Sequence, residues 1–571
     1  MLVDVAVPEM ALDDLTYSTG AEIPEGVRVI VEVQKSLHAG IVLGPSEREV
    51  GDEKPIAGVI DERMMIDPDL WDLARWSANV CMCGISVSLR AVLPRKFWMG
   101  EKLEAPPETL NHSQKFSEVH NFNPFDAERV NFCLSELEKP ERTLMLFSSR
   151  EAASDFYLTL PAKLRQDAIL WRSPEEWEEV NSKKCRIVIG SAGAVFAPLS
   201  PERIIIEDEA SSGYFLPYGL RISARSLAGR RATFLGSELV LCGRMPSLKT
   251  FMRSHPVMTA KPDRNSIVIA DMYTSRKEKA AGIDGNIPLT FSLIRRTYKE
   301  LVSGHNVLWI LGRQGEAMEV FCPKCGHILV CDKCGNIMRS INDGEMLKCR
   351  VCGALRELPA KCPECNHEGL RGKRPGIEAL AKIVSMYYPK VRLYVDGADK
   401  SRMKGLILSG HKGLELLESV KPSLVAWLDI DAELSAGGYD TRFRVFSMLY
   451  RSLYAGIKSS GERKLLVQAR KEGRKLCEFL LHGWEKFLAD ELKVREEFGM
   501  PPSGYMIELD CGGKISRERI LVRDILEEEG FFVMDSGDES QPLCVNTNSL
   551  DEIAKLLEPH HRMLNITVRS E

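Results

Sequence analysis

The chain has 571 residues, an ordinary globular composition and a net charge of −5, so we expect several folded domains rather than one. Because the chain as a whole is not polycationic, any binding to nucleic acid must come from local basic patches. The N-terminus has no basic-then-apolar leader and no apolar run reaches roughly 18 residues, so we expect neither export nor a membrane partner.

Residues 1–100 are predicted to form a small β-rich domain that also contains a helical segment. Residues 26–33 alternate with period two, 40–44 predict a second strand, and 68–91 have helical spacing. Residues 101–124 are polar, contain two adjacent prolines and several asparagines, and are therefore interpreted as a linker.

From about residue 125 the pattern changes to alternating strands and helices, which predicts parallel α/β sheets. Asn123 and Pro124 are interpreted as the start of a helix that continues to Leu137. The first lobe is predicted over 125–255, with buried strands at 143–147, 186–189, 203–207 and 239–242. The second lobe is predicted over 256–321 and 366–489, with strands at 306–311, 391–395, 423–428 and 464–467.

Residues 322–365 interrupt the second lobe with four Cys-x-x-Cys pairs, each followed by glycine or asparagine, the residue types that a tight metal-binding turn needs. Eight thiolates suffice for two tetrahedral zinc sites, and three ways of pairing the four turns are open. A disulfide cluster is disfavoured because cysteines this close in sequence rarely bridge each other. The ligands predicted are Cys322, Cys325, Cys331, Cys334, Cys349, Cys352, Cys362 and Cys365.

The remaining eight cysteines are scattered, as expected for reduced thiols in the cytoplasm. Cys81 and Cys83 are spaced wrongly for a zinc turn and are interpreted as core residues. Residues 490–571 predict a small α+β domain, with strands near 506–509 and 564–568.

Two consecutive α/β lobes with a double zinc insert in the second resemble the PriA family of bacterial replication-restart helicases (primosomal protein N′). The insert begins Cys-Pro-Lys-Cys-Gly-His-Ile-Leu-Val-Cys-Asp-Lys-Cys and is similar to that family's metal module in its spacing and prolines. Similarity extends to 188–198 and the acidic motif at 205–211 in the first lobe, to 375–378 after the insert, and to 497–504 at the start of the last domain.

This resemblance implies two superfamily II helicase-like lobes and a domain at 1–98 that binds the 3′ end of a nascent DNA strand. It also implies a nested pairing of the cysteines. One zinc ion would be held by Cys322, Cys325, Cys362 and Cys365, and the other by Cys331, Cys334, Cys349 and Cys352.

The helicase motifs themselves depart from the family pattern. No Gly-Lys-Ser or Gly-Lys-Thr is present, and alignment places 123–127 at the phosphate-binding loop, with Asp126 near the lysine position. An aspartate there would repel phosphate. The coupling motif is replaced at 242–245, and the arginine motif is not recognisable in 449–458. The stretch between Trp98 and Thr143 is also too short for the family's winged helix and first phosphate-loop strand together. The resemblance is therefore to a shortened relative with degenerate helicase motifs, in which ATP and Mg²⁺ are not expected.

Asp208 and Glu209 are the retained part of the acidic motif, whose family roles are to hold Mg²⁺ and to orient water. The final histidine of the motif is Ser211 in this chain. We interpret this pair as acids at a strand end that remain from an ATPase that is no longer active.

Five residues are candidates for contact with DNA. Tyr214, Tyr218, Arg221 and Arg225 lie in a segment that resembles the family's aromatic and basic loop, where rings would stack on unpaired bases and guanidiniums would contact phosphates. Packing between lobes is the alternative for these four. Lys54 corresponds to a lysine of the family's 3′-end pocket, although the Phe-Asp pair of that pocket is Leu15-Thr16 here, and a solvated surface lysine is its alternative.

The favoured hypothesis is a cytoplasmic, zinc-containing DNA-binding protein of replication restart. It would recognise branched and single-stranded DNA at stalled forks and promote reloading of the replicative helicase, without its own ATP-driven unwinding. Primosome proteins, single-strand-binding protein and the helicase loader are the partners that the resemblance implies. Two alternatives remain open: an active superfamily II 3′–5′ helicase with divergent motifs, and a zinc-containing protein adaptor that binds no DNA.

Overall fold

A computed structural model gives the fold. It describes the chain except for residues 11–13, 49–52, 102, 104–114, 184, 259, 273–288, 313–317, 321, 323, 326, 336, 342–345, 350–351, 371–379, 382–383, 387, 389–392, 396–403, 436, 512–516 and 536–540. The described part contains five sheets, and the strands of the insert sheet lie in sequence between strands of the second-lobe sheet. None of the helices in that part is both long and apolar enough to cross a lipid bilayer.

The N-terminal domain is an antiparallel sheet with three helices. Alternating apolar residues such as Val29 and Val31 are fully buried on one face, as the period-two pattern predicts. The strands in sheet order are Leu15–Ser18, Leu2–Ala6, Ser36–Pro45, Arg28–Val33 and Gly58–Val59. The helices are Pro68–Val80, Ile85–Val92 and Arg95–Trp98.

The first lobe is a six-stranded parallel sheet with helices on both faces. Its strands in sheet order are Ser117–Phe122, Glu238–Gly243, Arg203–Ile206, Thr143–Phe147, Ile187–Ser191 and Ala168–Trp171. Its helices are Asp126–Leu137, Arg150–Thr159, Ala162–Gln166, Trp177–Lys183, Ala224–Leu235 and Leu248–Ser254. Near-continuous apolar runs form the central strands because both faces are covered.

The second lobe repeats this architecture. Its parallel strands in sheet order are Ile267–Asp271, Lys464–Ala469, Leu424–Trp427, Val307–Ile310, Leu406–Ser409 and Leu393–Val395. Its helices are Phe291–Val302, Leu417–Val420, Ile430–Leu434, Thr441–Tyr454, Lys471–Leu480 and Trp484–Glu497. The prediction of two parallel α/β lobes, the second interrupted by the cysteine-rich insert, is confirmed.

Two small antiparallel sheets complete the chain. The insert contributes Met318–Glu319, Met338–Ile341, Met346–Cys349 and Leu355–Glu357 in sheet order. The C-terminal domain contributes Val533–Met534, Leu543–Thr547, Tyr505–Asp510 and Asn565–Arg569, with helices Arg517–Glu528 and Leu550–Leu557.

Two boundaries differ from the sequence-based expectation. Part of the predicted linker is strand Ser117–Phe122, which pairs in parallel with Glu238–Gly243 at the edge of the first-lobe sheet. Its polar sequence carries no apolar run, so pattern alone did not indicate a strand. The single helix predicted at 68–91 is two helices, separated by a turn in which Met82 has a φ of +49°. The predicted segment 375–378 lies outside the described residues.

A buried ion pair joins the N-terminal domain to the first lobe. Arg231 on helix Ala224–Leu235 donates from Nε to Asp69 at 2.9 Å, and both side chains are fully buried. The same guanidinium donates to the carbonyls of Val195 at 2.6 Å and Ala197 at 3.2 Å. Because a desolvated charge must keep its partners, this junction fixes the orientation of the two units.

We predict that Asp69→Ala lowers the free energy of unfolding of the joined unit by about 3–5 kcal/mol, because Arg231 is left buried without its counter-ion. Urea titration and hydrogen exchange of residues 68–80 measure this loss. The neighbouring pair Arg230–Asp72 is partly exposed, so Asp72→Ala is the matched control and is expected to cost about 0–1 kcal/mol. Equal losses from both variants would contradict a special role for the buried pair.

Candidate metal centres and nucleic-acid interface

The eight cysteines of the insert form two groups of four. One group contains Cys322, Cys325, Cys362 and Cys365, and the other contains Cys331, Cys334, Cys349 and Cys352, with all ligand atoms of a group within 4.8 Å of one another. Two sulfur–sulfur distances in each group lie between 3.4 and 3.7 Å. Four thiolates around one ion at about 2.3 Å would be separated by about 3.8 Å, so each group fits a tetrahedral metal ion. The nested pairing implied by the family resemblance is confirmed.

The turns that carry the sulfur atoms need unusual backbone conformations. After the second cysteine of three pairs, Gly335, Gly353 and Asn366 have φ values of +71°, +69° and +53°. Their amides donate to the carbonyls of Cys331, Cys349 and Cys362, which closes each turn around the sulfur atoms. Glycine and asparagine adopt this left-handed region at low cost, which explains the sequence pattern. Gly326, in the fourth turn, lies outside the described residues.

The acidic motif lies at the end of strand Arg203–Ile206, as the sequence predicted. Of the two retained acids, Glu209 has a structural role. Glu209 is fully buried, pairs with Arg225, and accepts the backbone N–H of Ser247 at 2.7 Å. Asp208 is partly exposed and lies 3.7 Å from Arg244. With its carboxylate committed to two protein partners, Glu209 is not free to orient a water molecule.

Tyr214 and Arg225 are not available to DNA in this structure, which corrects the sequence-based prediction. Tyr214 is only 1% exposed, and its hydroxyl donates to the carbonyls of Leu146 and Glu207. Burial and nearby Glu207 raise its pKa well above the usual range. Arg225 is buried between Glu209 and Glu571. These contacts are long-range, so the local aromatic and basic pattern could not distinguish packing from binding.

Tyr218 and Arg221 occupy the exposed part of the same loop. The ring of Tyr218 is 87% exposed, and Arg221, with a φ of +48°, lies 4.0 Å from Asp510 of the C-terminal domain. Between them, Gly219 has a φ of +72°, and a Cβ built there would lie 3.3 Å from Ala91 of helix Ile85–Val92. The loop therefore lies directly against the N-terminal domain, and the ring of Tyr218 is exposed to solvent where this domain meets the first lobe.

Lys54 lies in the N-terminal domain and is half exposed. Its ammonium is 2.9 Å from Glu32, so it is ion-paired rather than simply solvated. At the Leu15-Thr16 position, the Thr16 hydroxyl donates to Asp4 at 2.7 Å. The sequence pattern gave no indication of Asp4, which reaches Thr16 from the neighbouring strand.

The position expected for a phosphate-binding loop is at the carboxyl end of strand Ser117–Phe122, where the chain enters helix Asp126–Leu137. Asp126 is the first residue of this helix, and its carboxylate binds Arg129 at 2.6 Å and Arg244 at 2.5 Å. Burial alone would raise the pKa of Asp126, but Arg244, Arg129 and a backbone N–H lower it to about 2. The positive end of the helix is thus neutralised by the chain's own carboxylate, and segment 123–127 contains no lysine that could bind a second anion. These residues do not fit ATP with Mg²⁺.

The chain was compared with known proteins. A family model described as the 3′ DNA-binding domain (3′BD) of PriA matches residues 4–94. The replication restart protein PriA of Bacillus subtilis (strain 168) is 22% identical over 58% of this chain and 44% of its own length. That of Rickettsia felis is 27% identical over 56% of this chain and 53% of its own length. The chain thus spans about half the length of these two relatives.

Replication restart protein PriA of Rickettsia conorii matches over a longer stretch, at 24% identity over 84% of this chain and 82% of its own length. Among solved structures, the DUF1998 helicase MrfA bound to DNA and AMPPNP overlaps 66% of this chain and 48% of its own at 10% identity and a TM-score of 0.33. Residues 4–94 thus match the family model of the PriA 3′ DNA-binding domain, and 84% of the chain is similar to the replication restart protein PriA of Rickettsia conorii.

Proposed function

We propose that this protein binds stalled or branched replication forks and promotes reloading of the replicative helicase, without its own ATP-driven unwinding. The observation that carries the proposal is the contact between the exposed Tyr218 loop and the domain that matches a PriA 3′ DNA-binding domain. A domain of that kind would hold a strand end, and a solvent-exposed ring beside it suits unpaired bases at the junction.

Local cations would supply the affinity, because the net charge of the whole chain is negative. Arg221 in the loop and Lys54 in the N-terminal domain are the phosphate contacts that we propose. Arg221 is only loosely associated with Asp510, and the pair between Lys54 and Glu32 is exposed to solvent, so a phosphate could replace either carboxylate at low cost.

The proposal excludes nucleotide turnover because the residues at the position expected for a phosphate-binding loop form ion pairs and hydrogen bonds within the protein. Asp126 neutralises the helix N-terminus, and Glu209 is held by Arg225 and Ser247. Asp208 is the one retained feature that favours an active ATPase. A cation on the transferred phosphate and an oriented water are each decisive for phosphoryl transfer; here Asp126 stands near the position of the phosphate-loop lysine, and Glu209 is held in an ion pair with Arg225.

Two zinc ions are the metals that we propose for the insert, because four thiolates in a closed tetrahedron are typical of structural zinc. Each ion would stabilise a module whose apolar core is small. The resemblance supports single-strand-binding protein, the helicase loader and other primosome proteins as partners, and the cytoplasm as the location. A zinc adaptor that binds no DNA is the alternative that a fork-binding titration decides.

We predict that Tyr218→Ala weakens binding to the single-stranded arms of a fork by about 1–3 kcal/mol, because the ring stacks on a base. Fluorescence anisotropy with labelled forks measures the change. Tyr298→Ala is the control, since that ring is also exposed but lies on a helix of the second lobe. Arg221→Ala should reduce the slope of log K against log [salt] by about 0.7–0.9, the value of one phosphate contact. If both loop variants bind as wild type, the adaptor function is favoured.

We predict that forked DNA does not raise the rate of ATP hydrolysis above the background of the purified chain. The reason is the absence of a phosphate-binding lysine together with the internal pairing of Asp126. A coupled phosphate-release assay, with and without the fork, measures the rate. DNA-stimulated turnover that Asp208→Asn abolishes would instead establish the active-helicase alternative.

We predict two zinc ions per chain by elemental analysis. Cys349→Ser should reduce the content to one ion and expose the module to protease, while both lobes keep their melting behaviour. Cys511→Ser, which lies outside both groups, is the control and should retain two ions. Finding one ion or none in the wild-type protein, with its thiols free, would contradict the assignment.

A further inference from the structure

The carboxylate of Asp126 also connects the two lobes. One oxygen accepts from Arg129 and Arg244 of the first lobe, and the other accepts the backbone N–H of Gly456 in the second lobe at 2.7 Å. Gly456 follows helix Thr441–Tyr454, so 330 residues separate the two partners in sequence. A single side chain therefore joins a helix start, a strand end and a turn of the opposite lobe.

The second lobe holds its side of this contact in a fixed geometry. Gly456 has a φ of +74°, and a Cβ there would lie 2.5 Å from the carbonyl oxygen of Leu417, so only glycine fits. The buried Arg463 guanidinium donates to the carbonyl of Ala455 at 2.7 Å and to that of Leu417 at 3.3 Å. The Gly456 N–H is thus held in position before any partner arrives.

The first lobe is equally constrained. Arg129 is buried and held by Glu207 at 3.1 Å and by the carbonyl of Asn123 at 2.9 Å, so it cannot turn away from Asp126. Arg244 lies 3.7 Å from Glu418 of the second lobe, which adds a second ionic contact between the lobes.

Aromatic packing accompanies these charges. Phe125, the residue before Asp126, packs edge-to-face on Tyr454, with ring centroids 5.4 Å apart. Polar and apolar contacts between the lobes therefore converge on one point.

Two parallel-sheet lobes that face each other across a helix N-terminus and arginines form a site where an anion can link them. A dissociable phosphate would link them only while it is bound. A carboxylate that belongs to the chain is present at all times and loses no translational freedom on making the contact.

We propose that Asp126 is a built-in anion that replaces a bound phosphate group and holds the two lobes permanently in the arrangement of this structure. We name the contacts of Asp126 with Arg129, Arg244 and Gly456 the interlobe bridge. The bridge makes the relative position of the lobes independent of nucleotide. The interlobe bridge does not depend on DNA binding, so this proposal is tested independently of the proposed fork recognition.

Hydrogen–deuterium exchange without DNA tests the bridge. In the wild-type protein, the amides of Gly456 and Arg129, which donate to Asp126 and to the Phe125 carbonyl, should exchange slowly, and Mg²⁺ with a non-hydrolysable ATP analogue should leave their rates unchanged. Asp126→Ala should raise the exchange rate at Gly456 at least tenfold, because its N–H loses its acceptor. Asp155→Ala, on the exposed face of helix Arg150–Thr159, is the matched control and should change nothing.

Asp126→Asn covers the case in which the alanine variant does not fold. The amide keeps the shape and one acceptor but loses the charge that attracts both arginines, so we expect an intermediate rise in exchange. Small-angle X-ray scattering should show a larger radius for both Asp126 variants than for Asp155→Ala. Wild-type protection that changes with the ATP analogue, or Asp126 variants that exchange and scatter as wild type, would overturn the proposal.

Discussion

Desolvated arginine–carboxylate pairs hold the units of this protein together. Arg231 with Asp69 joins the N-terminal domain to the first lobe, and Arg225 pairs with Glu571, two residues after strand Asn565–Arg569 of the C-terminal domain. Asp126, which pairs with Arg244 of its own lobe, also accepts the backbone N–H of Gly456 in the second lobe. Breaking such a pair leaves a charge without water or partner, so each junction has a narrow range of allowed geometries. The domains are therefore parts of one assembly rather than units on flexible linkers.

The two lobes show that a parallel-sheet fold does not depend on the chemistry at the ends of its strands. Central strands such as Val307–Ile310 are buried and apolar, and they stabilise the sheet whatever residues follow them. The residues at the carboxyl ends were free to change, and here they carry ion pairs where a nucleotide would need an open, Gly-rich loop. Under the proposed function, retention of the fold and loss of phosphate binding are thus compatible in one chain.

Local sequence patterns predicted those structural features that depend on residues close to one another in the chain. The zinc turns were predicted from spacing, because Cys-x-x-Cys with a following glycine specifies both ligand and turn. Strand Ser117–Phe122 was missed because it lies at a sheet edge and exposes polar side chains, which leaves no apolar run. The burial of Tyr214 and the pairing of Arg225 depend on partners up to 346 residues away, and no local pattern contains that information.

The contact between the Tyr218 loop and helix Ile85–Val92 has a geometric consequence. The Asp69–Arg231 pair fixes the N-terminal domain on the first lobe. The distance between the N-terminal domain and the Tyr218 loop of the first lobe is therefore constant. A DNA molecule that contacts both surfaces must therefore match this fixed separation. Under the proposed function, forks would be sorted by the number of unpaired nucleotides between the end of the nascent strand and the junction, since too short or too long a gap leaves one surface without DNA.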